Sequence, residues 1–269
     1  MQNTGYAQKK LVSGKIVSKT QAAAGHFQMG LFCPYISHNS NPGQFIQVRV
    51  SKSYDPLLSR PLAVYRARGD VFDILFKVVG KGTRLLAEKN VGDTLDITGP
   101  LGNCFPINGD FHRAILVAGG MGVAALMTLA EALGGRRVIA LLGASARDKI
   151  VGEVDLMELG AEVRVATEDG SAGHKGMVPE LLEEILLENP TPRAMRIFAC
   201  GPTPMLKVVA QLASQHKTPA YVSLEERMAC GVGACLGCAC EVVSSDGKTE
   251  YKMVCADGPV FDAQEIVWK

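Results

Sequence analysis

The sequence predicts an α+β multidomain protein: an N-terminal six-stranded antiparallel β-barrel, a central five-stranded parallel α/β domain, and a small C-terminal cysteine-rich domain. Three observations carry this reading. Up to about residue 105, short β-type runs alternate with turn residues; from 106 to 222, apolar runs alternate with helical periods; beyond that, four cysteines fall within the eleven residues from Cys230 to Cys240. The expected domains are therefore 1–105, 106–222 and 223–269.

In the first part the candidate strands are 11–18, 27–32, 44–50, 61–67, 72–79 and 94–98. Segment 44–50 alternates in part, as a half-buried strand does, and follows the turn Asn41-Pro42-Gly43. Six short strands with few helix signals predict closure into a barrel, which removes unpaired edges. The one helix expected here is 83–88. Two stretches look chemical. Arg60-Pro61-Leu62-Ala63 opens a strand with a cation followed by a residue of fixed φ, an arrangement that holds a guanidinium against a phosphate or a flavin edge. Phe76-Lys77-Val78-Val79-Gly80-Lys81-Gly82-Thr83 runs from a strand through two glycines into a helix start, whose amides, with the Thr83 hydroxyl, suit a pyrophosphate. Singly, an Arg-Pro pair reads as a strand boundary and Gly-x-Gly-Thr as a turn. Together, and followed by Gly99-Pro100-Leu101-Gly102, they weigh more.

The central part reads as strand 114–118, helix 123–133, strand 138–142, helix 151–159, strand 162–166, helix 178–187, strand 196–200, helix 204–216 and strand 220–224. Strands alternating with helices imply a parallel sheet covered on both faces, with a nucleotide crevice at the strands' carboxyl ends. Gly119-Gly120-Met121-Gly122 stands at the first strand-to-helix turn, where glycines let phosphate approach helix amides. Alone it reads as a tight turn, but Cys200-Gly201-Pro202 ends the fourth strand at the same rim. Cys200 fits either a place beside a nicotinamide or a packing role. The loop Gly143-Ala144-Ser145-Ala146-Arg147-Asp148-Lys149 offers cations for a 2′-phosphate and an Asp for a free 2′-hydroxyl, and so leaves NAD and NADP both open. Thr167-Glu168-Asp169-Gly170-Ser171 reads equally as an adenosine-side loop or a solvated one.

In the last part the spacing Cys230-x4-Cys235-x2-Cys238, closed by the distant Cys255, fits the plant-type [2Fe-2S] arrangement. Gly231, Gly233 and Gly237 let the backbone wrap a compact core and turn its N–H groups toward sulfur. Cys240 lies outside that spacing and is expected to be a small buried hydrophobe rather than a ligand. A zinc knuckle needs a second close Cys or His pair, and no His follows His216.

With 269 residues, 47% hydrophobic and 20% charged, the chain can bury two cores and an appendage. A net charge of +1 offers no electrostatic case for nucleic acid or an anionic membrane. The first ten residues carry no apolar export segment and no apolar run is long enough for a membrane span, so eight cysteines are expected in a reducing cytoplasm. No base, nucleophile or metal-water constellation appears outside the cofactor motifs, so no catalytic residue for an organic substrate is assigned.

The order Arg-Pro-x-x, Gly-x-Gly-Thr, Gly-Pro-Leu-Gly resembles the flavin domain of the ferredoxin-NADP reductase superfamily. That resemblance implies FAD on Arg60, Pro61, Leu62, Ala63, Phe76, Lys77, Val78, Gly82 and Thr83. It places a nicotinamide dinucleotide on Gly119, Gly120, Gly122, Cys200, Gly201 and Pro202. One departure stands out: Ala63 replaces the Ser or Thr that the superfamily sets beside the flavin ring, leaving that contact to backbone or water. Over nearly its full length the chain resembles the electron-transfer subunits of bacterial two-subunit, NAD-dependent dihydroorotate dehydrogenases. The matching stretches run from Ser223-Leu224-Glu225-Glu226-Arg227-Met228 through Cys238, and from Tyr251-Lys252-Met253-Val254-Cys255 to Phe261. The resemblance implies a [2Fe-2S] cluster on Cys230, Cys235, Cys238 and Cys255, NAD as the nicotinamide, and an FMN-containing catalytic partner in a heterotetramer of two plus two. It also implies a role in pyrimidine biosynthesis, with electrons passing from the partner's FMN through the cluster and FAD to NAD+. A related NAD(P)H–ferredoxin-type reductase subunit with another partner would share the FAD and nucleotide parts. A zinc-bearing interaction module would share only the cysteines.

Overall fold

The computed structural model describes residues 7–188, 194–244 and 246–269. Residues 1–6, part of the stretch read for an export signal, lie outside the described residues.

The N-terminal sheet is built from β1 (Lys10–Ala23), β2 (His26–Phe32), β3 (Phe45–Arg49), β4 (Arg60–Ala63), β5 (Arg66–Arg68), β6 (Val71–Lys77) and β7 (Thr94–Leu101), with helix α1 (Pro34–Asn39) after β2 and α2 (Lys81–Glu88) after β6. Its strands follow the order β4-β3-β7-β1-β2-β6-β5, and all its pairings are antiparallel. The expected strand 61–67 is two strands. β4 and β5 stand at opposite ends of this order, yet only Val64 and Tyr65 separate them in sequence, so the sheet has to curl round on itself. The six expected strands thus become seven in a curled sheet. Its interior is filled by Ile16, Met29, Leu31, Ile46, Val48, Phe72, Ile74, Phe76 and Ile97. Helix α1 was not expected. Proline at its first turn supplies the φ that a helix start needs and gives up an N–H that would have no partner there.

The central sheet contains β8 (Arg113–Gly119), helix α3 (Val123–Ala132), β9 (Arg137–Ala144), α4 (Glu153–Glu158), β10 (Glu162–Thr167), the two-residue β11 (His174–Lys175), α5 (Val178–Glu188), β12 (Met195–Cys200), α6 (Thr203–Gln215) and β13 (Ala220–Ser223). The order β10-β9-β8-β12-β13 is parallel throughout, as expected for five strands, with β11 added in parallel at one edge. Because β8 pairs with β9 on one side and β12 on the other, the chain reverses its direction of winding at β8, and a crevice opens at the carboxyl ends there.

The C-terminal segment forms the hairpin β14 (Ala239–Val243) and β15 (Thr249–Met253), then returns to the central sheet as β16 (Val260–Asp262), antiparallel to β13. It has no separate core. Cys238, Val242, Val254 and Cys255 belong to the same apolar cluster as Val117, Ile197, Leu206 and Val209 of the central domain and Phe45 and Leu101 of the barrel. Gly99-Pro100-Leu101-Gly102, read above beside the flavin motifs, ends at this junction. A Cβ on Gly102 would stand 2.5 Å from Pro259, and Asn103 Nδ2 donates to the carbonyls of Asp257 and Val260 at 2.9 and 2.8 Å. No helix among the described residues is long and apolar enough to cross a membrane.

Candidate functional site

Most of the predicted flavin set, and Cys200 of the predicted nicotinamide set, meet on one cleft of roughly 370 Å³ between the barrel and the carboxyl rim of the central sheet. From the barrel come Arg60, Pro61, Leu62 and Ala63 of β4, Phe76 and Lys77 of β6, and Val79 and Thr83. Val78 and Gly82 flank this wall without lining it. Gly82 is held by space: a Cβ there would lie 2.0 Å from Arg60 Nε, so the glycine lets the guanidinium lie along the start of α2. Arg60 Nη1 donates to the carbonyl of Leu58 at 2.6 Å, which fixes the cation at the cleft's mouth. The Thr83 hydroxyl is taken up within its own loop. It accepts the N–H groups of Val79 and Gly80 at 2.9 and 3.2 Å and donates to the Gly80 carbonyl at 3.1 Å, so it shapes the turn.

From the central domain, Met121, Ala124, Ala125 and Cys200 line the cleft. The two glycine turns meet behind them. A Cβ on Gly122 would fall 1.9 Å from the Cys200 carbonyl oxygen, one on Gly119 2.8 Å from Pro202, and one on Gly201 2.9 Å from the Gly119 nitrogen. Gly119, Gly122, Cys200, Gly201 and Pro202 thus form one close-packed rim, with Gly120 open to solvent beside it at φ 54°. Such a rim brings backbone close to a ligand's phosphates.

Sequence reasoning assigned no role to Ser223, Leu224, Glu225, Glu226, Met228 or Pro259, all of which line the cleft. Their signal was positional: Ser223 ends β13 and 224–226 follow it, at the carboxyl end where open α/β sheets bind ligands. Glu225 opens onto the cleft with protein around it, and that enclosure raises its carboxyl above the usual range. Its Oε1 lies 4.0 Å from Cys200 Sγ. Burial first, then the Glu225 charge, pushes the Cys200 thiol far up, so at neutral pH it is a neutral thiol. Cys200 therefore both packs in the core and faces the cleft.

Two residues beyond Met228 the chain enters the cysteine loop. Gly231, Gly233 and Leu236 occupy the left-handed region at φ 71°, 87° and 59°, so the strained position next to Gly237 is held by a leucine. The four cysteines predicted as ligands accept the loop's N–H groups. Val232 and Cys235 donate to Cys230 Sγ at 3.4 Å each, and Gly237 to Cys235 Sγ at 3.5 Å. Cys255 donates to Cys238 Sγ at 3.4 Å, and Gly233 to Cys255 Sγ at 3.1 Å. The Val232 amide leads in bringing the Cys230 thiol down to about 6. Burial, then the neighbouring Cys238 thiol, raises Cys255 to about 12. Among the described residues no three His, Cys, Asp or Glu side chains close on a single-ion site. Each of these four sulfurs thus accepts at least one backbone N–H that would stabilise negative charge on it, the chemistry an iron–sulfur cluster requires. Cys240 lies on β14 opposite Lys252, half-buried against the apolar cluster, with its thiol raised to about 11 by burial.

Residues 225–267 match the family described as the iron-sulfur cluster binding domain of dihydroorotate dehydrogenase B. The chain is 42% identical over 258 residues to the protein of Bacillus caldolyticus named dihydroorotate dehydrogenase B (NAD(+)), electron transfer subunit, covering 94% of this chain and 96% of that one. It is 38% identical over 265 residues to the protein of the same name from Desulforamulus reducens, covering 97% and 99%. Among solved structures, an NADH-dependent reduced ferredoxin-NADP oxidoreductase superposes with a TM-score of 0.83 at 32% identity, over 100% of this chain and 92% of that one. A ferredoxin NADP+ reductase from Neisseria gonorrhoeae with bound FAD and NADP shares the fold, with a TM-score of 0.66 at 19% identity over 78% of this chain and 92% of that one.

Proposed function

The chain belongs to the family of electron-transfer subunits of dihydroorotate dehydrogenase B, and from that membership we propose how its two sites divide the work of an oxidoreductase subunit that uses FAD, an iron–sulfur cluster and NAD. The cleft holds the flavin against β4 and the start of α2, with Arg60 at its mouth and the apolar wall of Pro61, Leu62, Ala63 and Phe76 excluding water. The rim of Gly119, Gly120, Gly122, Gly201 and Pro202 takes the dinucleotide's phosphates and brings the nicotinamide toward Cys200 and Glu225. Cys230, Cys235, Cys238 and Cys255 hold a [2Fe-2S] cluster. When bound, FAD exchanges a two-electron hydride with NAD and single electrons with the cluster. The partner is a dihydroorotate-oxidising catalytic subunit carrying FMN, assembled two plus two with this chain in the cytoplasm, in the pathway to pyrimidine nucleotides.

The observation that carries this reading is contiguity. Segment 223–228 contributes five residues to the cleft wall and runs, two residues later, into Cys230, whose sulfur is already held by two loop amides. The test is the visible spectrum and iron content of the anaerobically purified chain and its variants. Cys230→Ser and Cys255→Ser are expected to remove the cluster bands and leave flavin bound, whereas Cys240→Ser leaves both. A Cys240→Ser variant without the cluster, beside a Cys238→Ser variant that keeps it, would overturn the ligand set.

The full-length likeness to a ferredoxin-NADP oxidoreductase favours a second reading, the same relay coupled to another partner. Dihydroorotate-dependent NAD+ reduction by the co-purified complex distinguishes the two.

A further inference from the structure

Gln47 sits in the middle of β3, 3% exposed, and neither its Nε2 nor its Oε1 has a hydrogen-bond partner. The other side chains with a buried open polar atom among the described residues, Arg66 and Arg196, each have other nitrogens bonded, Nε and Nη1 of Arg66 to carboxylates and Nη1 of Arg196 to two carbonyls. An amide with both ends unbonded in a protein interior is costly, and a leucine or methionine of similar volume would remove the cost. A glutamine in that position therefore points to a partner from outside the polypeptide.

Its surroundings identify that partner. Gln47 pairs across the sheet with Pro61, a wall of the flavin cleft, and with Thr98 on its other side. Its side chain lies against the cysteine loop: a Cβ built on Gly231 would stand 2.8 Å from Gln47 Cγ and 3.1 Å from Nε2. Gly231 directly follows Cys230. Gln47 thus lies between Pro61, which lines the cleft, and Gly231, the residue that follows Cys230. We propose that Gln47 is a positioning residue for the iron–sulfur group, its side-chain N–H donating to sulfur at the Cys230 end of the loop and thereby raising the cluster's reduction potential. A donor aimed at cluster sulfur stabilises the form carrying the extra electron, which is the sense in which such bonds tune these centres. The inference rests on placing the cluster at the four cysteines named above.

The experiment compares Gln47→Leu, and Gln47→Met as a second isostere should the first fold poorly, with the unaltered full chain. In the cluster-loaded protein the midpoint potential of the cluster is expected to shift negative and the paramagnetic resonance signal of the reduced cluster to change, with iron content and flavin potential unaltered. Gln47→His, which keeps an N–H donor, is expected to recover most of the shift. In protein freed of cluster the same Leu or Met variant is expected to melt at a higher temperature, because an unbonded amide has gone. Purely structural packing would move stability in the same direction in both forms and leave the potential alone. An unchanged potential and resonance signal in iron-replete Leu and Met variants would overturn the inference. A wild-type chain without cluster signal would instead overturn the ligand assignment on which it rests.

Discussion

Arg66 of β5 reaches out of the barrel and donates through Nε to Glu131 of α3 at 3.1 Å, while its Nη1 bonds Asp155 of α4. Tyr65 completes the junction with a 2.6 Å bond from its hydroxyl to the same Asp155. Arg66 is only 5% exposed, and its removal costs two partly buried carboxylates their buried cation, leaving Glu131 with Arg68 at 3.9 Å and Asp155 with the Tyr65 hydroxyl. Arg66→Met is expected to lower the unfolding free energy on the order of 3 kcal/mol and to split the denaturation profile into separate barrel and central-domain transitions. Urea unfolding followed by flavin fluorescence and far-UV circular dichroism reads both.

The glycine rim separates two physical costs. Gly122 has ordinary helical φ and ψ but no room, with the Cys200 carbonyl 1.9 Å from a built Cβ; Gly120 has room but a φ of 54°. Gly122→Ala is expected to cost about 1–3 kcal/mol through overpacking and to weaken NAD binding by pushing the two turns apart. Gly120→Ala is expected to cost about 1–2 kcal/mol from its backbone conformation alone. Thermal melts without NAD+ read these two costs, and melts with NAD+ read how far each substitution reduces the shift that the ligand produces.

The loop after β9 has its cations engaged. Arg147 is paired with Glu153, and Lys149 Nζ donates to Ser145 Oγ at 3.0 Å. A 2′-phosphate would have to compete with a carboxylate for Arg147, which favours NAD over NADP. Glu153→Gln is expected to raise the kcat/KM for NADPH relative to NADH by roughly fivefold, the scale of one exposed ion pair, measured with an artificial electron acceptor. Arg147→Ala is expected to leave NADH use within about twofold, the scale of a surface ion pair.

Glu162 links β9 to β10 by accepting from Arg137 Nη2 at 2.7 Å and from Arg164 Nη2 at 2.7 Å, and these bonds hold its carboxyl below its ordinary value of 4.5. A lowered carboxylate pKa favours the folded state above that ordinary value, and the contribution disappears as pH falls through the folded-state value. Glu162→Gln is therefore expected to cost about 0.5 kcal/mol at pH 7, with the gap to wild type closing on acidification below pH 4.5. Denaturant midpoints across pH measure it.

The cysteine spacing, the alternation of strand and helix, and Arg60-Pro61 with Gly-x-Gly-Thr were legible because each is local: a few neighbouring residues carry the chemistry. What was not legible depended on contacts remote in sequence. Segment 44–50 reads as half-buried, yet Phe45, Ile46, Gln47 and Val48 are all buried, because the C-terminal segment covers the strand's outer face. Glu225 stands in the stretch that carries the resemblance, but nothing local gives it a role, which comes from its place two residues past β13 beside Cys200. Helix α1, with six residues, and β16, with three, are too short to show a period.

The return of Val260–Asp262 to the central sheet makes the cysteine unit a detour in the chain rather than its tail. Ser223 and Val260 stand opposite each other on adjoining strands, with the Leu224 N–H donating to the Pro259 carbonyl at 2.9 Å, so the excursion leaves and rejoins the central sheet at neighbouring positions. Its ends touch, yet it is built into its host: Cys238, Val242, Val254 and Cys255 pack in the central domain's apolar cluster, and beyond β16 the Val267 N–H donates to the Glu241 carbonyl of β14 at 3.0 Å. Loss of the cysteine hairpin and truncation after β16 would therefore both expose one shared core, which ties the fate of the redox unit to that of its host.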